Sequence, residues 1–168
     1  LVHFAAWQGK ALDHDWAIRA NAEATGLVMN HCRRAAGALI ASTNSVYRPH
    51  QDPMHRYVET DPLGDATAPH SPTYGVSKVS QEAVARAMAR VLDLPTTITR
   101  INASYGPNGG LPAYHGDWVA AGESVWLREP GPNAYSPIHE DDMARQVEAL
   151  LEAASAPATI VNWCGDDV

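Results

Sequence analysis

Cysteine and lysine are both scarce in this sequence, with only Cys32, Cys164, Lys10 and Lys78 to represent them. The two cysteines lie far apart, which excludes a CxxC zinc or redox motif and predicts reduced core thiols of a cytoplasmic protein. Long apolar runs are missing as well. No stretch of about 18 apolar residues occurs, so no membrane-spanning helix is expected. Nor does a basic segment lead into an apolar one, so no signal peptide is visible. Excess positive charge is also lacking: the formal net charge is −7 and the arginines are scattered. A nucleic-acid partner calls for a clustered basic face, and none is present. The 168 residues, 45% hydrophobic and 18% charged, instead describe one globular domain with a real core.

Apolar spacing divides the chain into alternating strands and helices. Leu1 to Ala6 reads as a buried strand ending on small residues. From Asp15 to about Gly37 a helical stripe runs through Trp16, Ala20, Ala24, Leu27, Val28 and Cys32. Ala38 to Thr43 is a second strand ending in hydroxyls, and a loop rich in Pro, His, Asp and Thr follows from about Arg48 to Pro72. A helix is expected from about Thr73 to Leu92, with Val76, Val79, Ala83, Ala87, Met88 and Val91 on one side. Thr96 to Ile101, rich in β-branched residues, is a strand. Gly106 to Gly110 reads as a loop and Leu111 to Pro137 as mixed, with a short helix and a short strand at Ser124 to Leu127. Glu140 to Ala154 is a helix with Met143, Val147, Leu150 and Leu151 inward, and Thr159 to Cys164 a last strand. This alternation argues for βαβ units and a parallel sheet.

Tyr74 and Lys78 stand four apart at a helix start, so they share a face. A tyrosine titrating near pKa ~10 is a poor base at neutral pH, and a nearby ammonium is expected to favour the phenolate. Such a pair can exchange a proton with an alcohol or ketone. The spacing alone arises by chance in about 7% of chains of this composition, and a helix-surface pair without a role is the alternative. Ser42 and Thr43 end a strand, where a parallel sheet places its ligand crevice. A hydroxyl there can donate to a substrate oxygen while accepting from the tyrosine, or simply form a strand-end turn.

Six segments in order resemble the extended short-chain dehydrogenase/reductase family, the NAD-dependent epimerase/dehydratase group. They are Val2-His3-Phe4-Ala5-Ala6, Asn21-Ala22-Glu23-Ala24-Thr25, Ser42-Thr43-Asn44-Ser45-Val46-Tyr47, Tyr74 to Lys78, Arg100 to Pro107, and Ile138 to Ala144. The resemblance implies a Rossmann-like, doubly wound parallel α/β sheet and NAD or NADP as cofactor. Tyr74 would be the general acid/base, Lys78 would bind the nicotinamide ribose and tune Tyr74, and Thr43 would orient the substrate oxygen. Phe4, Ala5 and Ala6 would line the cofactor trough, with Ser42 and Asn21 beside it. The expected partner is a small-molecule substrate, with a second copy of the chain a possible one through the Ala-rich helix carrying Tyr74.

Departures from the family pattern sharpen these expectations. The GxxGxxG fingerprint would lie upstream of Leu1, so residues 1–168 are expected to be a central, partial cofactor-binding domain that holds no dinucleotide tightly by itself. Part of the substrate-binding region would occupy about residues 107–137. Ser42-Thr43-Asn44-Ser45 lacks the Asp-Glu pair of sugar-nucleotide dehydratases, which argues against dehydration. Tyr135 stands where nucleotide-sugar epimerases often carry a diphosphate-binding arginine, with Arg128 a substitute. Ala103 replaces a usual asparagine whose role Asn102 is expected to assume in contacting substrate. A sugar-like or other small hydroxy or keto substrate is the reading. A cofactor-sensing scaffold and an inactive truncated piece are its alternatives. His139, among carboxylates, is expected to hold the head of a helix rather than a metal. Trp118, Trp126 and Trp163 are candidates for packing or for a pocket wall.

Overall fold

Four short strands pair side by side in parallel: β1 (Val2–His3), β2 (Ala38–Thr43), β3 (Thr96–Ile101) and β7 (Thr159–Trp163), in the order β1-β2-β3-β7. This is a computed structural model, and it describes all residues except 66, 67, 69, 126, 128–130 and 166–168. Between β1 and β2 runs one helical segment: α1 (His14–Ile18), a π-helical turn at Arg19–Glu23, and α2 (Ala24–His31). Helix α3 (Tyr74–Leu92) joins β2 to β3, and α5 (Glu140–Glu152) precedes β7. A smaller sheet places β4 (Ala103–Gly106) between β5 (Gly109–Gly110) and β6 (Pro137–His139), with α4 (Leu111–Ala120) alongside.

The central strands are covered on both faces, which is why β2 reads as an unbroken apolar and hydroxyl run rather than an alternating one. Ala38, Ile40 and Ile98 pack with Met29, Ala85 and Ala89 of α2 and α3 on one face. On the other, Leu39 and Trp163 pack with Ile138, Met143 and Leu150. Helices on both faces of a parallel sheet make this a Rossmann-like fold.

The elements at 38–43, 74–92, 96–101, 140–152 and 159–163 lie where the apolar spacing predicts them. The expected first strand shrinks to Val2–His3, and Phe4 to Ala6 continue past its paired end. The first helical segment ends at His31, short of Gly37, and the expected stripes on two helices hold only in part: Ala20, Ala24, Val28, Cys32 and Val79 are half-buried and Met88 packs against the core. Trp16 and Leu27 are exposed, while Ala17, Asn21, Ala22, Thr25 and Met29 turn inward. The π-helical turn, where Ala24 N–H reaches back to Arg19 rather than to the fourth residue before it, shifts the face of the residues before it relative to those after it. On α3, Val76 and Val91 are exposed, and Ser77, Lys78, Gln81, Glu82, Ala85 and Ala89 are buried. Polar residues can occupy the inner face because they bond to one another: Asn21 Nδ2 donates to Ser77 Oγ at 2.8 Å, and Gln81 Nε2 to Thr25 Oγ1 at 2.8 Å.

Other expectations change in detail. Gly106 to Gly110 forms a tight hairpin: the expected loop narrows to a turn at Pro107 and Asn108, with Gly106 ending β4 and Gly109–Gly110 forming β5. Its tightest point is Gly110, at φ +101°, where a Cβ would lie 2.1 Å from the Ser104 carbonyl oxygen. Of the strand expected at Ser124 to Leu127, residues 124, 125 and 127 are not strand, while Trp126, like Arg128, lies outside the described residues. Cys32 is half-buried and Cys164 exposed, so neither is a core thiol, and both are outside any disulfide. Among the described residues no helix is long and apolar enough to cross a membrane.

Candidate active site

Tyr74 opens α3, and the next turn brings Lys78 beneath its ring, with Nζ 5.8 Å from the ring centroid. Lys78 is 1% exposed, and its ammonium donates to the Ala41 carbonyl at 2.8 Å, near the end of β2. Two residues farther along that strand is Thr43. Its hydroxyl accepts from Ser45 N–H at 3.2 Å, which fixes the turn that follows. The same hydroxyl donates to Asn44 Oδ1 at 3.4 Å, and its proximity to the Tyr74 phenol favours ionisation of that phenol. The structure thus brings Tyr74, Lys78 and Thr43 together at the carboxyl end of the parallel strands.

Burial dominates the electrostatics. It raises the Tyr74 phenol above its ordinary value, and the neighbouring Thr43 hydroxyl only partly offsets this. Lys78 is pushed from 10.5 down to about 8 by burial, with the Glu82 charge opposing the shift. His3 of β1 is lowered by burial and then by the Lys78 charge. The expected lysine-driven lowering of the tyrosine is therefore reversed in sign. The ammonium lies under the ring face and is bonded to a backbone carbonyl, so desolvation of the phenolate decides.

The flanking candidates fall into distinct places. Asn21, 1% exposed, accepts from Trp7 N–H at 2.7 Å and donates to Trp7 O at 3.0 Å. With its bond to Ser77, it straps the segment after Phe4-Ala5-Ala6 to α3. Phe4 is 45% exposed, and Ala5 and Ala6 are exposed beside it. Ser42 is committed elsewhere, its hydroxyl donating to Glu82 Oε1 at 2.6 Å. Asn102 Oδ1 accepts from Ser136 N–H at 3.4 Å, between the two sheets. His139 caps α5, accepting from Asp141 N–H through Nδ1 at 3.2 Å. Trp163 is a core residue whose indole N–H donates to Gln146, and Trp118 is exposed.

Sequence reasoning missed a buried ion pair behind the site. Arg100 donates through Nε to Glu82 Oε1 at 3.0 Å and through NH2 to Oε2 at 2.8 Å. Its remaining nitrogen, NH1, reaches Tyr47 OH and the Glu59 carbonyl, each at 3.0 Å. Burial alone would lower the guanidinium, and the bonds to Glu82 and Tyr47 more than reverse it. The available signal was an arginine within the β-branched strand Thr96–Ile101, since a charge buried in a strand needs a partner.

A parallel, doubly covered sheet with a tyrosine, a buried lysine and a threonine at its carboxyl edge defines a Rossmann-like α/β protein. The model of the NAD dependent epimerase/dehydratase family matches residues 1–164, and the chain belongs to that family. A dTDP-glucose 4,6-dehydratase from Streptomyces venezuelae, solved as a double mutant with NAD and DAU bound, is 25% identical with a TM-score of 0.77 over 99% of this chain and 52% of that one. A UDP-glucuronic acid 4-epimerase from Bacillus cereus, solved in complex with UDP-glucuronic acid and NAD, is 24% identical with a TM-score of 0.75 over 99% and 54%. A UDP-N-acetylglucosamine 4-epimerase from Methanobrevibacter ruminantium is 15% identical with a TM-score of 0.77 over 97% and 54%. The chain thus spans about half the length of these structures. Among curated protein sequences none matches.

Proposed function

We propose that the protein is an NAD(P)-dependent oxidoreductase or epimerase acting on a sugar-like or other small hydroxy or keto compound, with Tyr74 as proton donor and acceptor. The observation that carries this reading is the meeting of Tyr74, buried Lys78 and Thr43 at the carboxyl edge of the sheet. The residues present suit a nicotinamide cofactor. Phe4, Ala5 and Ala6 form an exposed apolar ledge beyond the end of β1, where parallel sheets receive nucleotides, and the Lys78 ammonium uses one of its three donors on Ala41. A bound nicotinamide supplies the two-electron exchange with the substrate carbon. The chain supplies the proton. With its phenol raised, Tyr74 is protonated at neutral pH and donates to a substrate carbonyl oxygen; in the opposite direction it accepts the hydroxyl proton. Thr43 orients that oxygen, and Lys78 compensates charge as the phenolate forms.

The apolar residues left outside, Trp16, Leu27, Val76 and Val91, with Ala83 and Ala87 among them, suit a second copy packed on the α2–α3 face. The two thiols, neither of them in a disulfide, suit a reducing, cytoplasmic setting. Tyr74→Phe, made in the longest natural polypeptide containing this chain, tests the assignment. Turnover is expected to fall about a hundredfold to ten-thousandfold with thermal unfolding unchanged. Full turnover by the folded variant refutes it.

A further inference from the structure

Glu82 lies one helical turn beyond Lys78 on the inner face of α3, 3% exposed. Its Oε1 accepts from Ser42 Oγ at 2.6 Å and from Arg100 Nε at 3.0 Å, and its Oε2 accepts from Arg100 NH2 at 2.8 Å. Ser42 and Arg100 are partners in register across β2 and β3, so one carboxylate gathers both strands onto the helix. Immediately before Ser42, Ala41 accepts the Lys78 ammonium; immediately after it comes Thr43. Helix and strand are thus fastened at two successive residues, and the residue that follows is the one facing Tyr74.

We propose that Glu82 is a positioning residue of the Tyr74–Lys78–Thr43 site, holding the strand end that carries Thr43 against the helix that carries Tyr74 and supplying the buried anion beside Lys78. This rests on the proposed function for its catalytic meaning, while its effect on Lys78 is read without turnover. Arg100 is needed because a lone carboxylate at this depth would be costly to ionise. A bidentate guanidinium keeps it charged and fixes its plane. The charged and titratable groups around Lys78 are His3 from β1 and Tyr74 and Glu82 from α3, and of these Glu82 is the anion. Around Glu82 itself stand Arg100 and, beyond it, Tyr47.

In the longest natural polypeptide containing this chain, selective carbon-13 labelling at the lysine side chains resolves a titration for each lysine, and Lys78→Arg and Lys10→Arg identify the two signals of interest. Glu82→Gln keeps the shape and one acceptor but removes the charge. The Lys78 midpoint is then expected to fall so that its proton affinity drops about tenfold, with Lys10 unmoved. In the active polypeptide, kcat is expected to fall with KM retained, and the pH limb of kcat to move with the NMR midpoint. If Glu82→Gln does not fold, the neutral pair Glu82→Gln with Arg100→Gln carries the same titration and the same expectation. An unshifted Lys78 midpoint in a folded variant overturns the proposal. So does failure of both variants to fold, which assigns the pair to stability alone. A shifted midpoint combined with a fully active Tyr74→Phe refutes the proposed chemistry and leaves the Glu82–Lys78 coupling in place.

Discussion

Stability should rise, not fall, as the medium turns mildly alkaline. Lys78 titrates near 8 in the folded chain and at 10.5 when released into water. Between these values the unfolded chain holds a proton that the folded chain has lost, so stability increases with pH across the window. Below about pH 8 the full penalty of burying the ammonium is present, on the order of 3 kcal/mol. Integrating the difference gives a gain of about 2 kcal/mol from about pH 7.5 to about pH 9.5. Other shifted groups leave this window clear. His3 is lowered from 6.5 and acts on the acid side, while the raised phenols of Tyr74 and Tyr47 act only above about pH 10. The assay is urea unfolding at half-unit steps of pH, compared with Lys78→Met, which fills a similar volume without a charge. The wild-type curve is expected to climb and the Lys78→Met curve to stay flat. A rise of equal slope in both, or no rise in the wild type, refutes the assignment of the titration to Lys78.

Three further outcomes follow from other parts of the fold. Asn21→Ala takes the partner from the Trp7 N–H and carbonyl and leaves the Ser77 hydroxyl only its bond to the Tyr74 carbonyl; stability is expected to fall by about 2 kcal/mol, and hydrogen exchange at Trp7 to quicken, with unchanged exchange counting against the strap. Gly110→Ala forces a side chain into a φ of +101° and against Ser104, and is expected to cost about 2 kcal/mol in chemical unfolding while leaving the larger sheet's circular dichroism intact. Val76→Glu charges the exposed face of α3; light scattering is expected to show a dimer become a monomer without loss of thermal stability, and an unchanged mass rejects that face as the contact.

Strands and helix ends were legible where local chemistry leaves one solution. Thr96 to Ile101 is rich in β-branched residues, and Pro95 and the left-handed Asp93 cap separate it from α3. The Tyr74–Lys78 spacing, the hydroxyls closing β2 and the His139 cap could be read for the same reason. Helix faces were legible only in part. Apolar spacing points Val76 and Trp16 inward, yet Ser77, Gln81, Asn21 and Thr25 occupy the interior because each completes hydrogen bonds that only the folded pair of helices supplies. The Glu82–Arg100 pair was hidden by the same logic, since 18 residues separate its members and only the folded packing of α3 on β3 brings them together. The charge balance at Lys78 depends on depth of burial, which sequence spacing does not report.

The π-helical turn at Arg19–Glu23 makes the first helical segment a place where chain length can be edited. A π turn carries one residue more than an α-helical turn, so deleting a single residue there would leave an ordinary helix instead of a break. Because the π turn already absorbs the extra residue, the residues on either side would go on facing as they do now, whereas a deletion in a regular α-helical stretch would rotate what precedes it by about 100°. Ala17 would stay buried in line with Thr25 and Met29, and Trp16 would stay outside. One codon can therefore be lost at this position without turning the outer surface of the helix pair, a tolerance that the neighbouring α-helical turns do not have.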